Sequence, residues 1–117
     1  MINFACKTFD LEQIIKCSFG LTKTEFTILL LLLKQKKEFT SEDLSKKLNL
    51  DQSTIQRAIK LLHKKSLVFR GQINLSGGGY VFVYKSKDRD YLTKRLYEII
   101  DGWSKGVKKE INSFELR

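Results

Sequence analysis

Directly after Lys65 the hydrophobic period of this chain drops from 3.6 residues to 2. That switch constrains the fold more than any other feature, because a helical repeat cannot settle as a strand, nor an alternating one as a helix. Ahead of it, Leu44, Leu48, Leu50, Ile55, Ala58 and Leu62 mark two helical blocks with Asn49 at the corner between them. Ser45 is small enough to let the two blocks cross closely. A short helix, a tight turn and a second helix make a helix-turn-helix. Asparagine stands where a turn glycine is usual, and it also accepts positive φ.

The second helix of the pair, residues 52–65, divides cleanly at 100° per residue. Ile55, Ala58, Ile59 and Leu62 gather on one side; Gln52, Ser53, Gln56, Arg57, Lys60 and Lys64 gather on the other. No acid lies between Gln52 and Lys65. Solvated helix faces usually mix signs, since opposite charges one turn apart support the helix. A face of Ser, Gln, Arg and Lys alone suits phosphates and base edges. Arg57 has the fork that pairs with guanine and Gln56 the carboxamide that pairs with adenine, while Lys60 and Lys64 suit phosphate.

Upstream, a helix is expected over 11–17, ended by Gly20, and another from about Thr22 to Lys34, with Thr22 and Glu25 as a capping box. Thr40 or Ser41 caps the helix to Leu48, and Asp51 caps the next. Proline is absent, so nothing forces a break. Residues 68–75 and 80–85 read as two strands, and a long amphipathic helix runs from Ser86 or Lys87 towards Phe114. The predicted order is α-α-α-α-β-β-α: mostly helical with one small hairpin, an α+β fold. The whole chain is expected to be a single domain, with an N-terminal arm and short helix over 1–20, a core over 21–85 and a C-terminal helix over 86–117.

The connection Ser76-Gly77-Gly78-Gly79 raises the question of a phosphate loop. Such loops lead into a helix; here Tyr80-Val81-Phe82-Val83-Tyr84 follows, which is a strand. The glycines therefore tip a hairpin. Along its first strand Arg70, Gln72 and Asn74 alternate with Phe69, Gly71, Ile73 and Leu75. A glycine-tipped hairpin directly after a helix-turn-helix has the position of a wing. Arg70, Gln72, Asn74, Gly77 and Gly78 are its candidate DNA contacts, beside a major-groove helix. The aromatics Tyr80, Phe82 and Tyr84 share one face; they are expected to pack on the domain, the alternative being stacking on single-stranded DNA or RNA.

The net charge of +9 points to a polyanionic partner. Residues 41–85 supply +5 of it. The greasiest run, Ile28 to Leu33, falls well short of the roughly 18–20 residues of a membrane span. No signal peptide is legible at the N-terminus, so a soluble cytoplasmic protein is expected. The two cysteines, Cys6 and Cys17, lack the spacing of a metal site and read as free thiols. The single histidine, His63, has no assembled partners for catalysis. No enzyme activity, cofactor or metal is expected.

Leu21-Thr22-Lys23-Thr24-Glu25, the helix-turn-helix, Lys64-Lys65-Ser66-Leu67-Val68 and the glycine-tipped wing together resemble winged-helix transcriptional regulators of the TrmB-like and MarR-like groups common in archaea. The likeness covers about residues 20–115. It implies binding to double-stranded DNA, usually as a homodimer and most often in repression. The extra sugar-binding domain of larger TrmB-like proteins is not expected in this chain. The rival reading is a winged helix used for protein contact within transcription machinery. Leu92, Leu96, Ile99, Trp103 and Val107 recur at three- and four-residue steps along the last helix. So long a stripe on so small a domain is expected to pair with its twin, with the N-terminal segment as a candidate addition to that contact.

Overall fold

The computed structural model describes residues 1–114. Two-residue strands β1 (Ile2–Asn3) and β2 (Thr8–Phe9) pair antiparallel as a small N-terminal ribbon. Four helices follow: α1 (Leu11–Phe19), α2 (Lys23–Gln35), α3 (Ser41–Leu48) and α4 (Gln52–Lys64). The hairpin β3 (Val68–Asn74) and β4 (Tyr80–Ser86) comes next, then α5 (Arg89–Ser113). The fold is mostly helical with two small antiparallel hairpins, as the period switch predicts for all but the ribbon.

The ribbon was not expected, and its strands are too short to carry a period. Local contacts hold it instead. The Phe4 and Phe9 rings meet edge to face at 5.9 Å, and Lys7 Nζ sits 5.2 Å from the Phe9 centroid. The Thr8 hydroxyl donates to Asn3 Oδ1 at 2.8 Å. At the other end, α5 starts at Arg89 rather than at residue 86 or 87, because β4 continues to Ser86, paired with Val68. Lys87 N–H then donates to the Leu67 carbonyl at 3.1 Å, holding the chain extended before the helix begins.

The core is a single cluster. Ile28 and Leu32 of α2, Leu44 of α3, and Ile55, Ile59 and Leu62 of α4 are fully enclosed, with Leu67 and Val68 closing the base of the hairpin. Phe39, between α2 and α3, is buried and exchanges both backbone hydrogen bonds with Tyr84, at 2.9 and 2.8 Å. That one-residue strand bolts the hairpin to the helical body.

Glu25 is the only buried charged residue among those described, at 4% exposure. The Thr22 hydroxyl accepts from Glu25 N–H at 3.2 Å, so half of the expected capping box forms. The carboxylate does not turn back to the Thr22 backbone. It accepts instead from the Thr22 hydroxyl at 3.1 Å and from Lys65 Nζ at 3.5 Å. The same ammonium donates to the carbonyl of Gly20, whose left-handed φ of 67° closes α1. A positive-φ cap of this kind favours glycine. Lys65 therefore ties the α1–α2 corner to the point where α4 hands over to the hairpin. Asp51 departs from expectation too. It stands at the N-cap of α4, but its carboxylate accepts from the Thr54 hydroxyl at 3.2 Å and makes no bond to the helix backbone.

Removing one partner of a buried ion pair leaves a desolvated charge, the costly half of such a change. Lys65→Met is expected to lower the free energy of urea unfolding by about 1–3 kcal/mol. Adding Glu25→Gln is expected to recover most of that loss, because no buried charge then remains. A double variant as unstable as the single one would remove the carboxylate from this account.

Candidate nucleic-acid interface

The interface is built on α4. Ile55, Ala58, Ile59 and Leu62 anchor the helix in the core, so its opposite side must face outward. Gln52, Ser53, Gln56, Arg57, Lys60 and Lys64 are all exposed there. At 100° per residue they fall within roughly 140° of arc. The described ion pairs use Lys16, Lys46 and Lys65, so Arg57, Lys60 and Lys64 are held by none of them. No acid sits in the first turn of α4, where one is common. Leu50 breaks the expected apolar pattern: it is partly exposed, at 37%.

The turn into α4 rests on Asn49, which adopts φ 54° and ψ 48° and donates its N–H to the Ser45 carbonyl. The Ser45 hydroxyl donates to the Leu50 carbonyl across the corner. Ser45 thus contributes a bond as well as a small profile. At the start of α3, Thr40 and Asp43 form a reciprocal capping box, with bonds of 3.0 and 3.1 Å.

The hairpin register decides what faces α4. Arg70 pairs with Tyr84, Gln72 with Phe82 and Asn74 with Tyr80. Directly opposed residues lie on the same face of a sheet, so the polar row and the aromatic row, read separately in the sequence, are one surface. Its burial is graded from base to tip. Tyr84 is buried, Phe82 half-buried and Tyr80 55% exposed. The Arg70 guanidinium lies 4.4 Å from the Phe82 centroid, a stacked cation, and the Tyr80 ring meets Phe82 at 5.2 Å. Burial holds the Tyr84 phenol above its ordinary pKa, while the positive charge of Arg70 pulls the other way. Gln72 Nε2 donates to Asn74 Oδ1 at 3.2 Å. A cleft of about 350 Å³ separates this face from the helices, with Thr40, Ser41, Glu42, Gln52 and Gln56 on one wall and Val81, Phe82 and Tyr84 on the other. The tip is exposed; Gly78 and Gly79 need their positive φ of 96° and 80°, whereas Gly77 does not.

The stripe on α5 divides in two. Leu92 is buried in the molecule's own core, and Leu96 and Ile99 lean on it half-buried. Leu92 is therefore committed within the chain and is not free for a twin. Beyond Ile99 the stripe stands in solvent: Ile100 39%, Trp103 60%, Val107 37% and Ile111 64% exposed. Twenty-five residues of helix span about 37 Å, and the molecule measures 73 × 23 × 22 Å. Its radius of gyration is 18.2 Å, against about 13 Å for a compact domain of this length. Cys6 and Cys17 are free and exposed. Among the described residues no three His, Cys, Asp or Glu side chains come together as a metal site, and no helix is long and apolar enough to cross a membrane.

A helix-turn-helix whose second helix has an acid-free outer face, flanked by a hairpin bolted to the helical body through Phe39, defines a winged-helix DNA-binding regulator rather than an enzyme. Comparison with known proteins agrees. Residues 15–102 match the model of the family described as sugar-specific transcriptional regulator TrmB. A solved structure described as a possible transcriptional regulator from Methanosarcina mazei Go1 is 38% identical, covers 98% of this chain and 97% of its own, and superposes with a TM-score of 0.92. An uncharacterized protein of Methanocaldococcus jannaschii is 27% identical over 98% of this chain and 86% of its own length. A MarR family protein from Bacillus stearothermophilus shares the fold at 19% identity and a TM-score of 0.50, over 90% of this chain and 69% of its own. The chain belongs to the TrmB family of transcriptional regulators.

The left-handed corner at Asn49 gives a direct check on the helix-turn-helix. A β-branched residue is disfavoured at positive φ by roughly 1–2 kcal/mol. Asn49→Val is expected to reduce stability by about that much in urea unfolding, and Asn49→Gly to leave it within about 0.5 kcal/mol.

Proposed function

We propose that this protein is a cytoplasmic repressor that binds double-stranded DNA sequence-specifically as a homodimer. One observation carries the reading: the outward face of α4 presents Gln52, Ser53, Gln56, Arg57, Lys60 and Lys64 without a single carboxylate, on a helix whose rotation is fixed by four core residues. In this reading α4 enters the major groove, Arg57 and Gln56 read base edges, and Lys60 and Lys64 neutralise phosphates. The wing follows the backbone beside it through Arg70, Gln72, Asn74 and the tip at Gly77 and Gly78. Stacking over Phe82 pre-orients Arg70, so less side-chain entropy is lost on contact. The burial of Tyr84 and the covering of Phe82 leave Tyr80 alone as an open ring, a poor platform for single strands.

The dimer reading rests on the outer half of α5. Trp103, Val107 and Ile111 form an apolar strip exposed among the described residues, which pairing with a second copy covers. Two-fold pairing sets two α4 helices about 34 Å apart, on a near-palindromic site.

Selection of bound duplexes from a random pool tests binding, symmetry and spacing together. Arg57→Ala is expected to weaken the selected site by about 1–3 kcal/mol and random duplex by less. Equal loss on both would remove Arg57 as a base reader. Lys60→Ala is expected to weaken both alike and to flatten the log–log salt slope by about 1. Trp103→Glu is expected to yield monomers in sedimentation and to abolish preference for two half-sites over one.

A further inference from the structure

The wing has a second face, and nothing in the DNA reading uses it. Phe69, Gly71, Ile73 and Leu75 alternate with the DNA-side row along β3 and its continuation, so they point away from α4. Opposite them on β4 stand Lys85, Val83 and Val81. Phe69, Ile73 and Leu75 are 52%, 47% and 48% exposed. Gly71 adds no side chain to the row, and Val83 leans into the space: a Cβ on Gly71 would lie 3.3 Å from Val83 Cγ2. Val83 is itself buried, at 6%, so the open apolar surface on the back of the hairpin is Phe69, Ile73 and Leu75.

Three features say what fits it. First, β3 is an edge strand: among the described residues it pairs with β4 on one side and with no strand on the other, whereas β4 has Phe39 on its second side. Its sequence, Val-Phe-Arg-Gly-Gln-Ile-Asn, carries no proline, no lysine and no acid, the residues that blunt exposed edges. Second, the strip is rimmed by cations. Lys85 faces Phe69 across the pair, and Lys87 Nζ lies 3.9 Å from the Phe69 centroid and 5.3 Å from that of Tyr91. No acid occurs between Ser66 and Lys87. Third, charge argues against a second copy of this chain as the occupant. A second copy would bring its own Arg70, Lys85 and Lys87 to this rim and no acid to meet them, since residues 66–87 carry none.

We propose that the back of the wing docks an extended, acidic protein segment, which adds as a strand to the free edge of β3. The side chains it turns to the back face are apolar beside Ile73 and Leu75 and acidic at the base of the hairpin, where carboxylates meet Lys85 and Lys87. Main-chain bonds supply affinity and the alternating side chains supply selection, as in other strand additions. This surface is independent of the DNA reading: it stands or falls on different residues and a different ligand.

The probe is a capped eight-residue peptide in which threonine alternates with a back-face set of two valines followed by two glutamates, titrated into the isotopically labelled protein. Saturable shifts of the β3 amides, Phe69 to Ile73, are expected, with little change along α4. The same peptide with lysine in place of both glutamates is expected not to bind. Ile73→Ser and Lys85→Glu should each weaken the acidic peptide about tenfold while leaving the fold, by circular dichroism, unchanged, and Ile73→Ser should leave duplex DNA affinity unchanged as well. The proposal is overturned if the lysine peptide binds as well, if the shifts fall outside β3, or if neither variant weakens binding. It is equally overturned if Ile73→Ser changes the oligomeric state instead, which would make the strip an interface between copies. Loss of DNA binding by Arg57→Ala with peptide binding retained would separate the two readings.

Discussion

A single helix has to serve the core and the outside at once, and the rest of the molecule follows from how it does so. Ile55, Ile59 and Leu62 are fully enclosed and Ala58 nearly so. Each large side chain contributes about 1.5–3 kcal/mol on burial, so turning α4 by even one residue, about 100°, would strip most of its anchors. Its rotation is therefore fixed far more firmly than any surface interaction could fix it. The basic face outside needs no bonds of its own to be held in place, and its long side chains stay free for a ligand.

The wing is positioned by two ties at different ends of its base. Lys65 links the exit of α4 to Gly20 and Glu25, so the chain leaves the helix in one direction. The Phe39–Tyr84 exchange then fixes the sheet against the loop before α3. Between them the register is set, and register decides everything that follows on the hairpin. A slip of one residue would move Arg70, Gln72 and Asn74 to the back and expose Phe69 and Ile73 towards α4. The cation of Arg70 over Phe82 is a consequence of this register and helps to hold it, since the pair sits directly beside Tyr84.

The parts of the fold legible in the sequence were those with a period. The helices, the hairpin and the two sides of α4 came from spacing alone, with ends misplaced by a residue or two where caps and pairing decide. What escaped reading depends on distant residues. Glu25 looked like a local cap, and its role as a buried partner is set by Lys65, forty positions away. The merging of the Arg70 row with the Tyr84 row needed the register, which two strands read separately do not reveal. The N-terminal ribbon has two residues per strand and no alternation to detect. The α5 stripe was visible as a stripe, but the point where it stops serving its own core, after Ile99, depends on the size of that core and not on the pattern.

That stopping point carries a mechanical consequence. The stripe on α5 continues at three- and four-residue steps without a break from Leu92, inside the core, to Ile111, in solvent. Since a helix of this kind is stiff over a few turns, its outer half is a rigid extension of the surface that packs against α1 and the core. In the proposed dimer the crossing angle of two such helices sets the separation and tilt of the two α4 helices. Gly102 and Gly106 lie in this outer half, and a side chain at either would meet nothing within 4 Å. They weaken the helix by about 1 kcal/mol each, and nothing within the protomer requires them. The one segment where the lever is softened is thus the segment where two copies would meet, and a small change of crossing angle there moves both reading heads together.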